Sequence, residues 1–164
     1  MVVHNRDYFE KIYEKYCPMV YRICFMYLKN EHEAYDTTHD TFLKMIQKNL
    51  YFTNVEHEKA WLIVTASNCC KDVLKSFWRK HKIDLDCVPE GCCEQKEFSN
   101  NDTVLNAVLN LPYKYKALVY LHYYEEYSVE EIAGILHKNP STMRSRLGKA
   151  KKILKDVLKE EEYE

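Results

Sequence analysis

The fold of this chain is decided by the stretch from residue 128 to residue 158, SVEEIAGILHKNPSTMRSRLGKAKKILKDVL. Its first part predicts a short helix. Ser128 and Glu131 have the spacing of a capping box, in which a hydroxyl and a carboxylate satisfy free N–H groups at a helix start. The apolar residues that follow share one face of this helix: Val129, Ile132, Ala133 and Leu136.

A break and a longer basic helix come next. His137 and Lys138 occupy the break, and Asn139 is a good N-cap. Pro140 suits the first helical position because its missing N–H would be unpaired there anyway. A core stripe then recurs at helical spacing: Met143, Leu147, Ala150, Leu154 and Val157. The other sides carry polar and basic residues: Ser141, Thr142, Arg144, Ser145, Arg146, Lys149 and Lys152.

This arrangement has two interpretations. It is the pattern of a helix-turn-helix whose second helix enters the major groove of DNA. The alternative is a capped helical hairpin with a solvated, lysine-rich face, and the break lacks the glycine often found in such turns. The rest of the chain has to decide between them.

Composition indicates an all-α protein of one or two small domains. The 164 residues include only three glycines and four prolines, and segments with helical periodicity dominate. Hydrophobic residues make up 46% of the chain, which is enough for compact cores. No apolar run approaches the roughly 20 residues of a membrane span, and the polar start is unlike a secretory signal. We therefore expect a cytoplasmic protein without direct membrane insertion.

Charge is unevenly distributed although the net charge is only −1. Residues 1–83 carry 13 Lys/Arg against 10 Asp/Glu, residues 84–102 carry 1 against 6, and residues 103–164 carry 10 against 9. Two mildly basic regions are thus joined by an acidic segment. A net charge near zero argues against tight, non-specific coating of DNA and favours two modest DNA contacts that need a partner.

The seven cysteines form no recognised metal site. Their odd number, their adjacent pairs and the absence of a secretory signal favour reduced thiols. Cys87, Cys92 and Cys93 lie in the acidic segment with the spacing C-x4-C-C, which is not a zinc spacing. We interpret them as free thiols, with a redox role as the alternative, and we expect no metal and no cofactor.

Four helices are predicted before the acidic segment. The first spans residues 6–16, the second begins at Pro18, and the third covers about residues 31–48. The third begins with acidic residues, as the helix dipole prefers. One of its sides carries Asp36, His39 and Asp40. Without further context, the default interpretation of these three residues is a solvated acidic face.

A loop and a long helix complete the first region. Residues 49–55, NLYFTNV, form a loop rich in aromatic residues and asparagine, and residues 56–82 form the helix, which ends in FWRKHK. Trp78 beside Arg79 and Lys80 combines a stacking ring with cations, as single-stranded DNA requires. A basic helix end that frays is the alternative.

The second region begins near Thr103 with a short helix. Pro112 stops this helix and starts the next, in which apolar residues recur at helical spacing: Ala117, Leu118, Tyr120, Leu121 and Tyr124. The helix-turn-helix follows. The expected architecture is all-α: an N-terminal helical bundle (residues 1–83), an acidic linker (84–102) and a C-terminal four-helix domain (103–164).

With both regions in view, the chain resembles a bacterial RNA polymerase sigma factor of the small two-domain, extracytoplasmic-function group. The resemblance covers nearly the whole chain. It is carried, in order, by EAYDTTHDTFLKM (33–45), AWLIVTASNCCKDVLKSFWRK (60–80) and LPYKYKALVYLHYYEEYSVEEIAGIL with STMRSRLGKAKKIL (111–154). It implies a sigma factor that binds core RNA polymerase and directs initiation at specific promoters.

The resemblance also implies roles for residues of the first domain. The third helix docks on a coiled coil of core RNA polymerase, and the matching positions are Asp36, His39, Asp40 and Phe42. His39 stands where the family usually has Gln, which would make docking pH-sensitive. The fourth helix and the preceding loop read and open the minus-ten promoter element. The matching residues there are Asn54, Asn68, Lys71, Lys75, Trp78, Arg79 and Lys80. Ser67 stands where Arg is common, so one cationic contact would be missing.

The second domain resembles the part that binds the upstream, minus-thirty-five element. The residues of its recognition helix are Ser141, Thr142, Arg144, Ser145, Arg146 and Lys149. Arg can pair with O6 and N7 of guanine, while Ser and Thr suit phosphates. His137 replaces the usual turn glycine and Pro140 is unusual for the family, so an altered turn is expected. The resemblance further implies an anti-sigma partner.

Two other functions compete with this interpretation. A helix-turn-helix regulator acting without core polymerase would normally dimerise on a palindrome, and the N-terminal region would then have no purpose. An interaction protein that has lost DNA contact would account for the departures at Ser67, His137 and Pro140. No nucleophile–base pair or metal cluster supports an enzyme, so we expect that the chain is not one.

Overall fold

Every regular element in the structure of the protein, a computed structural model, is helical. The structure describes residues 2–80 and 103–162 and, within these ranges, the side chains of residues 5–77, 79 and 104–160. No strand occurs in the described ranges, which agrees with the all-α prediction. Contacts divide the chain into two compact units, Met1–Lys82 and Ile83–Glu164. Cys87, Cys92, Cys93 and the rest of the predicted linker lie outside the described residues.

The first unit is a bundle of three helices: α1 (Val2–Leu28), α2 (Glu31–Gln47) and α3 (Val55–Lys80). Each helix packs against the other two. Among the fully buried side chains, the largest apolar ones of this unit are Val20, Ile23, Met45, Leu62 and Ile63. Because this core fixes α2 and α3 from behind, their outer faces are held in place for contacts with other molecules.

The prediction of two helices before Lys29 is wrong, because α1 runs without a break through Pro18. A proline inside a helix removes one backbone hydrogen bond and costs about 3 kcal/mol. Buried residues nevertheless continue in helical phase, with Ile12 and Tyr16 before the proline and Val20 and Ile23 after it. Burying one large apolar side chain contributes about 1.5–3 kcal/mol, so the packing of this continuous stripe outweighs the cost.

The described residues of the second unit form four α-helices: α4 (Thr103–Leu109), α5 (Tyr113–Val119), α6 (Val129–Leu136) and α7 (Pro140–Glu162). One of its core clusters joins α5 to α7, with Leu111, Tyr115, Val119 and Ala150 buried together. The partly buried Val108, Ile153 and Leu154 pack against this cluster. None of the described helices in either unit is both long and apolar enough to cross a membrane.

The helix that follows Pro112 differs from its prediction at its end. Its apolar residues were expected to recur at regular helical spacing as far as Tyr124, but residues Tyr120–Tyr124 form a π-helical turn. The N–H of Glu125 bonds to the carbonyl of Tyr120 at 3.3 Å, and the N–H of Tyr127 bonds to that of Leu121 at 3.0 Å. A wider turn inserts one residue into the helical register. It therefore keeps Leu121 buried and turns Tyr124 outward.

The helix-turn-helix has the caps that the sequence predicts. The capping box is complete. The hydroxyl of Ser128 accepts a hydrogen bond from the N–H of Glu131 at 3.1 Å, and the carboxylate of Glu131 accepts one from the N–H of Ser128 at 2.7 Å. The side chain of Asn139 accepts a hydrogen bond from the N–H of Ser141 at 2.9 Å, as an N-cap should. These caps fix where α6 and α7 begin.

The turn between α6 and α7 has a regular geometry although glycine is missing. His137 adopts the left-handed conformation, with φ 54° and ψ 46°. The N–H of Lys138 bonds to the carbonyl of Ala133 at 2.9 Å, and the N–H of His137 bonds to that of Gly134 at 3.4 Å. This is the hydrogen-bond pattern of a Schellman motif. The replacement of glycine by His137 therefore adds backbone strain but does not change the path of the turn.

Candidate nucleic-acid and polymerase interfaces

The first turns of α7 present the predicted recognition residues to solvent. Met143, Leu147 and Ala150 are buried and anchor the helix to the unit. The polar residues on the other sides are exposed: Ser141, Thr142, Arg144, Ser145 and Lys149. Arg146 is half-buried at the border between these two faces. One rigid helix thus carries most of the predicted set on its open side, which is the geometry needed to enter a DNA groove.

Arg144 already has an anionic neighbour. Its Nη1 lies 2.9 Å from Oε1 of Glu130, which belongs to the start of α6. Both side chains are more than half exposed, at 58% and 63%, and such surface pairs contribute only about 0–1 kcal/mol. Glu130 was not singled out in the sequence, because the pair joins two helices across a turn. The Glu130 carboxylate orients the Arg144 side chain. Because the ion pair is weak, a phosphate or a guanine can replace Glu130 as the partner of Arg144 with little loss of free energy.

The outer face of α3 collects most of the predicted minus-ten residues. Asn68, Lys75 and Arg79 are exposed, Lys71 is half-buried, and their spacing places them along one side of the helix. Trp78 and Lys80 belong to the same helix, but their side chains lie outside the described residues. Asp72 is also exposed on this side, so the face carries one anion among its cations.

Ser67 does not lie on this face. It is only 2% exposed, and its hydroxyl has no hydrogen-bond partner among the described residues. Ser67 is therefore not part of the exposed polar face of α3. The residue points into the core of the first unit, next to Ala66 and Cys70, which are fully buried.

Asn54 has a structural task in addition to its predicted DNA contact. Its Oδ1 accepts hydrogen bonds from the N–H groups of Glu56 at 2.8 Å and His57 at 3.3 Å. It is thus the N-cap of α3, a type of interaction that contributes about 1 kcal/mol to stability. Asn54 is exposed. Since the cap uses only its Oδ1, the amide NH₂ group is the part of the side chain that can donate to a base or a phosphate.

The predicted polymerase-binding residues of α2 surround one aromatic cluster. Nε2 of His39 lies 3.2 Å from the hydroxyl of Tyr13 on α1. The His39 ring stacks parallel to the Tyr13 ring at 6.0 Å and meets Tyr35 edge-on at 4.3 Å. A hydrogen bond with Cys17, followed by burial, raises the pKa of Tyr13 to about 12. Tyr13 is therefore neutral at physiological pH and holds His39 in a fixed orientation.

The two acidic residues and the phenylalanine of the set lie in different surroundings. Asp36 and Asp40 are exposed, and Asp36 pairs with His32 one turn earlier at 3.4 Å. Phe42 is only 6% exposed and packs edge-on against Tyr13 at 5.0 Å. Phe42 therefore supports the docking face from behind and contributes little surface of its own.

Three exposed apolar residues extend this face and were missed in the sequence. Tyr35, Leu43 and Ile46 are 56%, 49% and 47% exposed, and together with His39 they follow one stripe of α2. Exposed apolar residues that run along one helix face are typical of a protein interface. The signal was present in the sequence, because this second apolar stripe has helical spacing beside the one that is buried.

Titratable groups in the described ranges form no candidate metal centre, since no group of three or more His, Cys, Asp or Glu side chains converges there. One pair of thiols joins α1 to α3. Cys24 and Cys70 are hydrogen-bonded to each other, and this bond raises the pKa of the Cys70 thiol and lowers that of the Cys24 thiol. Both residues are fully buried, and a reactive thiol has to be at least partly exposed, so the geometry indicates packing and not chemistry.

Comparisons with known proteins identify the family of the chain. Residues 12–82 match the family described as Sigma-70 region 2, and residues 101–154 match that described as Sigma-70, region 4. The chain is 31% identical over 143 residues to RNA polymerase sigma factor SigV of Bacillus subtilis (strain 168), covering 87% of this chain and 86% of SigV. The chain belongs to the sigma-70 family, as an extracytoplasmic-function sigma factor.

Two further similarities support this assignment. ECF RNA polymerase sigma factor SigW of the same organism is 25% identical over 173 residues, covering 95% of this chain and 91% of SigW. The fold is similar to that of the sigma factor RpoE from Bartonella quintana, solved in complex with the anti-sigma factor NepR. That likeness has a TM-score of 0.70 and 19% identity, and it covers 92% of this chain and 96% of RpoE.

This sigma factor accordingly directs promoter-specific initiation together with core RNA polymerase. A helix-turn-helix regulator that acts without core polymerase is not favoured, because the region 2 match accounts for the first unit. That unit would have no purpose in such a regulator.

Proposed function

We propose that the two units divide promoter recognition between them. Residues 1–83 dock on core RNA polymerase and open the minus-ten element, residues 84–102 link the units, and residues 103–164 bind the minus-thirty-five element. The observation that carries this proposal is the pair of polar helix faces, one on α3 and one on α7, each backed by a buried core stripe.

The upstream contact uses the open side of α7. Arg144 and Arg146 can donate bidentate hydrogen bonds to guanine, and Ser141, Thr142, Ser145 and Lys149 suit the backbone phosphates. The hydroxyl and ammonium groups position the helix in the groove, and the guanidinium groups select the sequence.

The minus-ten contact uses α3 and the loop before it. Asn68 and the NH₂ group of Asn54 suit base edges, whereas Lys71, Lys75, Arg79 and Lys80 suit the phosphates of a separated strand. Trp78 supplies an aromatic ring on which an unstacked base can lie. Strand opening then needs no ATP, because stacking and phosphate contacts offset the few kcal/mol that each unstacked base costs.

The polymerase contact uses the acidic and apolar face of α2. Asp36 and Asp40 attract a basic partner surface, and Tyr35, Leu43 and Ile46 supply the apolar area. His39 lies between them, held by Tyr13. The chain itself catalyses no reaction in this scheme, because nucleotide addition belongs to the polymerase, and it acts in the cytoplasm where polymerase and promoters meet.

An anti-sigma protein is a further proposed partner. The family resemblance supports it, and so does the NepR complex of the similar RpoE. Such a partner would compete with core polymerase for the docking face on α2. Purified core enzyme should therefore displace it, whereas the variant Leu43→Asp should bind neither.

Reconstituted transcription tests the central proposal. Purified core enzyme from the source organism is mixed with the chain and with fragments of its genome, and RNA 5′ ends are mapped. We expect discrete start sites that depend on the chain. Arg144→Ala should lower initiation about 10- to 100-fold at promoters whose upstream element contains the paired guanine. Lys159→Ala, at the far end of α7, is the matched control. Start sites that do not depend on the chain would refute the proposal.

A further inference from the structure

One hydroxyl group joins three separate parts of the first unit. The hydroxyl of Tyr8 on α1 accepts a hydrogen bond from the backbone N–H of Phe52 at 3.1 Å. It also donates one to Oε2 of Glu58 in the first turn of α3, again at 3.1 Å. The loop between α2 and α3 (residues 48–54, the α2–α3 loop) is therefore tied at its middle to both flanking elements.

The surroundings make this tie specific. Glu58 is only 5% exposed, so its carboxylate depends on nearby donors rather than on water. Burial raises the pKa of Tyr8, which keeps the phenol protonated and able to donate at neutral pH. A buried carboxylate and a backbone N–H thus share one hydroxyl that satisfies both.

Aromatic contacts and a second hydrogen bond support the same loop. The Tyr51 ring lies 4.9 Å from the Tyr8 ring and 5.6 Å from the Phe9 ring. Asn5 donates a hydrogen bond to the side chain of Asn49 at 3.4 Å. The rings hold the loop against α1 by apolar packing, whereas the Tyr8 hydroxyl fixes one particular backbone atom.

We propose that Tyr8 is a positioning residue for promoter opening, whose hydroxyl holds the α2–α3 loop in the shape that meets the minus-ten bases. The inference rests on the proposed function of this loop and of α3. Tyr8 lies on a helix outside the predicted DNA-binding and polymerase-binding sets. A loop that is ordered in advance loses less conformational entropy when it captures DNA.

The variant Tyr8→Phe tests this inference, because it keeps the ring and removes only the hydroxyl. We expect an open-complex formation rate about tenfold lower on duplex promoter DNA, since the loop has lost a hydrogen bond and Glu58 its donor. On the same promoter with a pre-opened, mismatched bubble over the minus-ten region, the rate of initiation should be within about twofold of that of the wild-type chain. With the reconstituted holoenzyme, 2-aminopurine fluorescence measures opening of the duplex, and formation of the first RNA product measures initiation on the bubble template.

Two further variants make the result decisive. Tyr21→Phe removes a hydroxyl from the same helix about 20 Å along its axis, and it should behave like the wild-type chain on both templates. Glu58→Leu removes the carboxylate that accepts the hydrogen bond of the Tyr8 hydroxyl, so it should slow opening on duplex DNA in the same direction as Tyr8→Phe. It also serves as the test if Tyr8→Phe fails to fold.

Three outcomes would overturn the inference. They are equal opening rates for Tyr8→Phe and Tyr21→Phe, equal losses for Tyr8→Phe on duplex and bubble templates, and an unchanged duplex rate for Glu58→Leu. The proposed function fails differently, because the wild-type chain with core enzyme would then neither open the duplex promoter nor initiate on the bubble template.

Discussion

Single residues carry backbone strain at the turns of this protein. Within residues 2–80 and 103–162, four non-glycine residues have positive φ angles: Lys29, Asn49, Glu126 and His137. Each left-handed residue other than glycine costs about 1–2 kcal/mol. The chain has only three glycines, and the two that the structure describes, Gly134 and Gly148, lie inside helices. Glycine is thus absent from these four turns, where its freedom would help.

His137→Gly should therefore stabilise the second unit. The substitution relieves the left-handed strain, although glycine also raises the entropy of the unfolded chain, so we expect a net gain of about 0.5–1 kcal/mol. Such a gain corresponds to a rise of about 2–8 °C in the melting temperature of a domain this small. Calorimetry of the full chain measures it. Lys138→Gly is the matched control one residue later, where φ is not positive, and it should not stabilise the unit.

The raised pKa of Tyr13 predicts how the folding stability of the protein changes at alkaline pH. Its pKa is about 12 in the folded protein against an ordinary value of 10.0. A folded pKa above the unfolded value gives stability that is fully present below pH 10 and is lost as the pH rises toward 12. The denaturant midpoint should therefore fall between pH 10 and pH 12.

Tyr13→Phe provides the comparison for this pH dependence. The variant lacks the titrating group, so its midpoint should fall less over the same pH range, as measured by urea unfolding followed by circular dichroism. Parallel curves for the two proteins would show that Tyr13 does not couple folding to its protonation.

At the level of elements, α1 shows how packing decides the path of a helix. Pro18 lies in the interior of α1 and is exposed, so its ring contributes no core packing. Pro18→Ala restores a backbone N–H and removes the ring, and we expect it to stabilise the first unit by about 1–3 kcal/mol. The melting temperature of the full chain measures the change. Pro18→Gly should give a smaller gain, because glycine is about 1 kcal/mol less favourable than alanine inside a helix. A loss with both variants would contradict this account.

The sequence predicted correctly those helix ends that depend on capping residues close by in the chain. The capping box at Ser128 and the N-cap at Asn139 depend on residues within one helical turn, and the structure has both. The continuity of α1 through Pro18 depends on packing against α2 and α3, so it could not be read from the local pattern. The same applies to the π-helical turn at Tyr120–Tyr124, where burial of Leu121 overrides the regular helical register.

The candidate interfaces were predictable to a similar degree. An exposed polar face on α7 follows from the helical spacing of the core stripe, and the structure has it. The burial of Ser67 was not predictable, because a helix with apolar residues on more than one side does not reveal which side packs inward. Contacts such as that of Tyr8 with Phe52 span 44 residues and have no sequence signature.

For the whole molecule, charge explains why the chain needs a partner. The net charge is −1, whereas proteins that bind DNA tightly by themselves usually neutralise many phosphates. Only three cations belong to the proposed upstream contact, Arg144, Arg146 and Lys149. Core polymerase then has to supply the remaining affinity, and the two units supply the sequence preference.

The salt dependence of DNA binding tests this division of labour. Each neutralised phosphate contributes about −0.9 to the slope of log K against log salt concentration. With three cations in contact, the full chain alone should show a slope no steeper than about −3 on a short duplex that carries only the upstream element and no minus-ten element. Lys149→Ala removes one phosphate contact and should make the slope shallower by about 1. Lys159→Ala, ten residues further along α7, is the matched control and should leave the slope unchanged. Fluorescence anisotropy at several salt concentrations gives the slopes, and a slope near −6 for the wild-type chain would mean that it contacts far more phosphate than the proposed helix face allows.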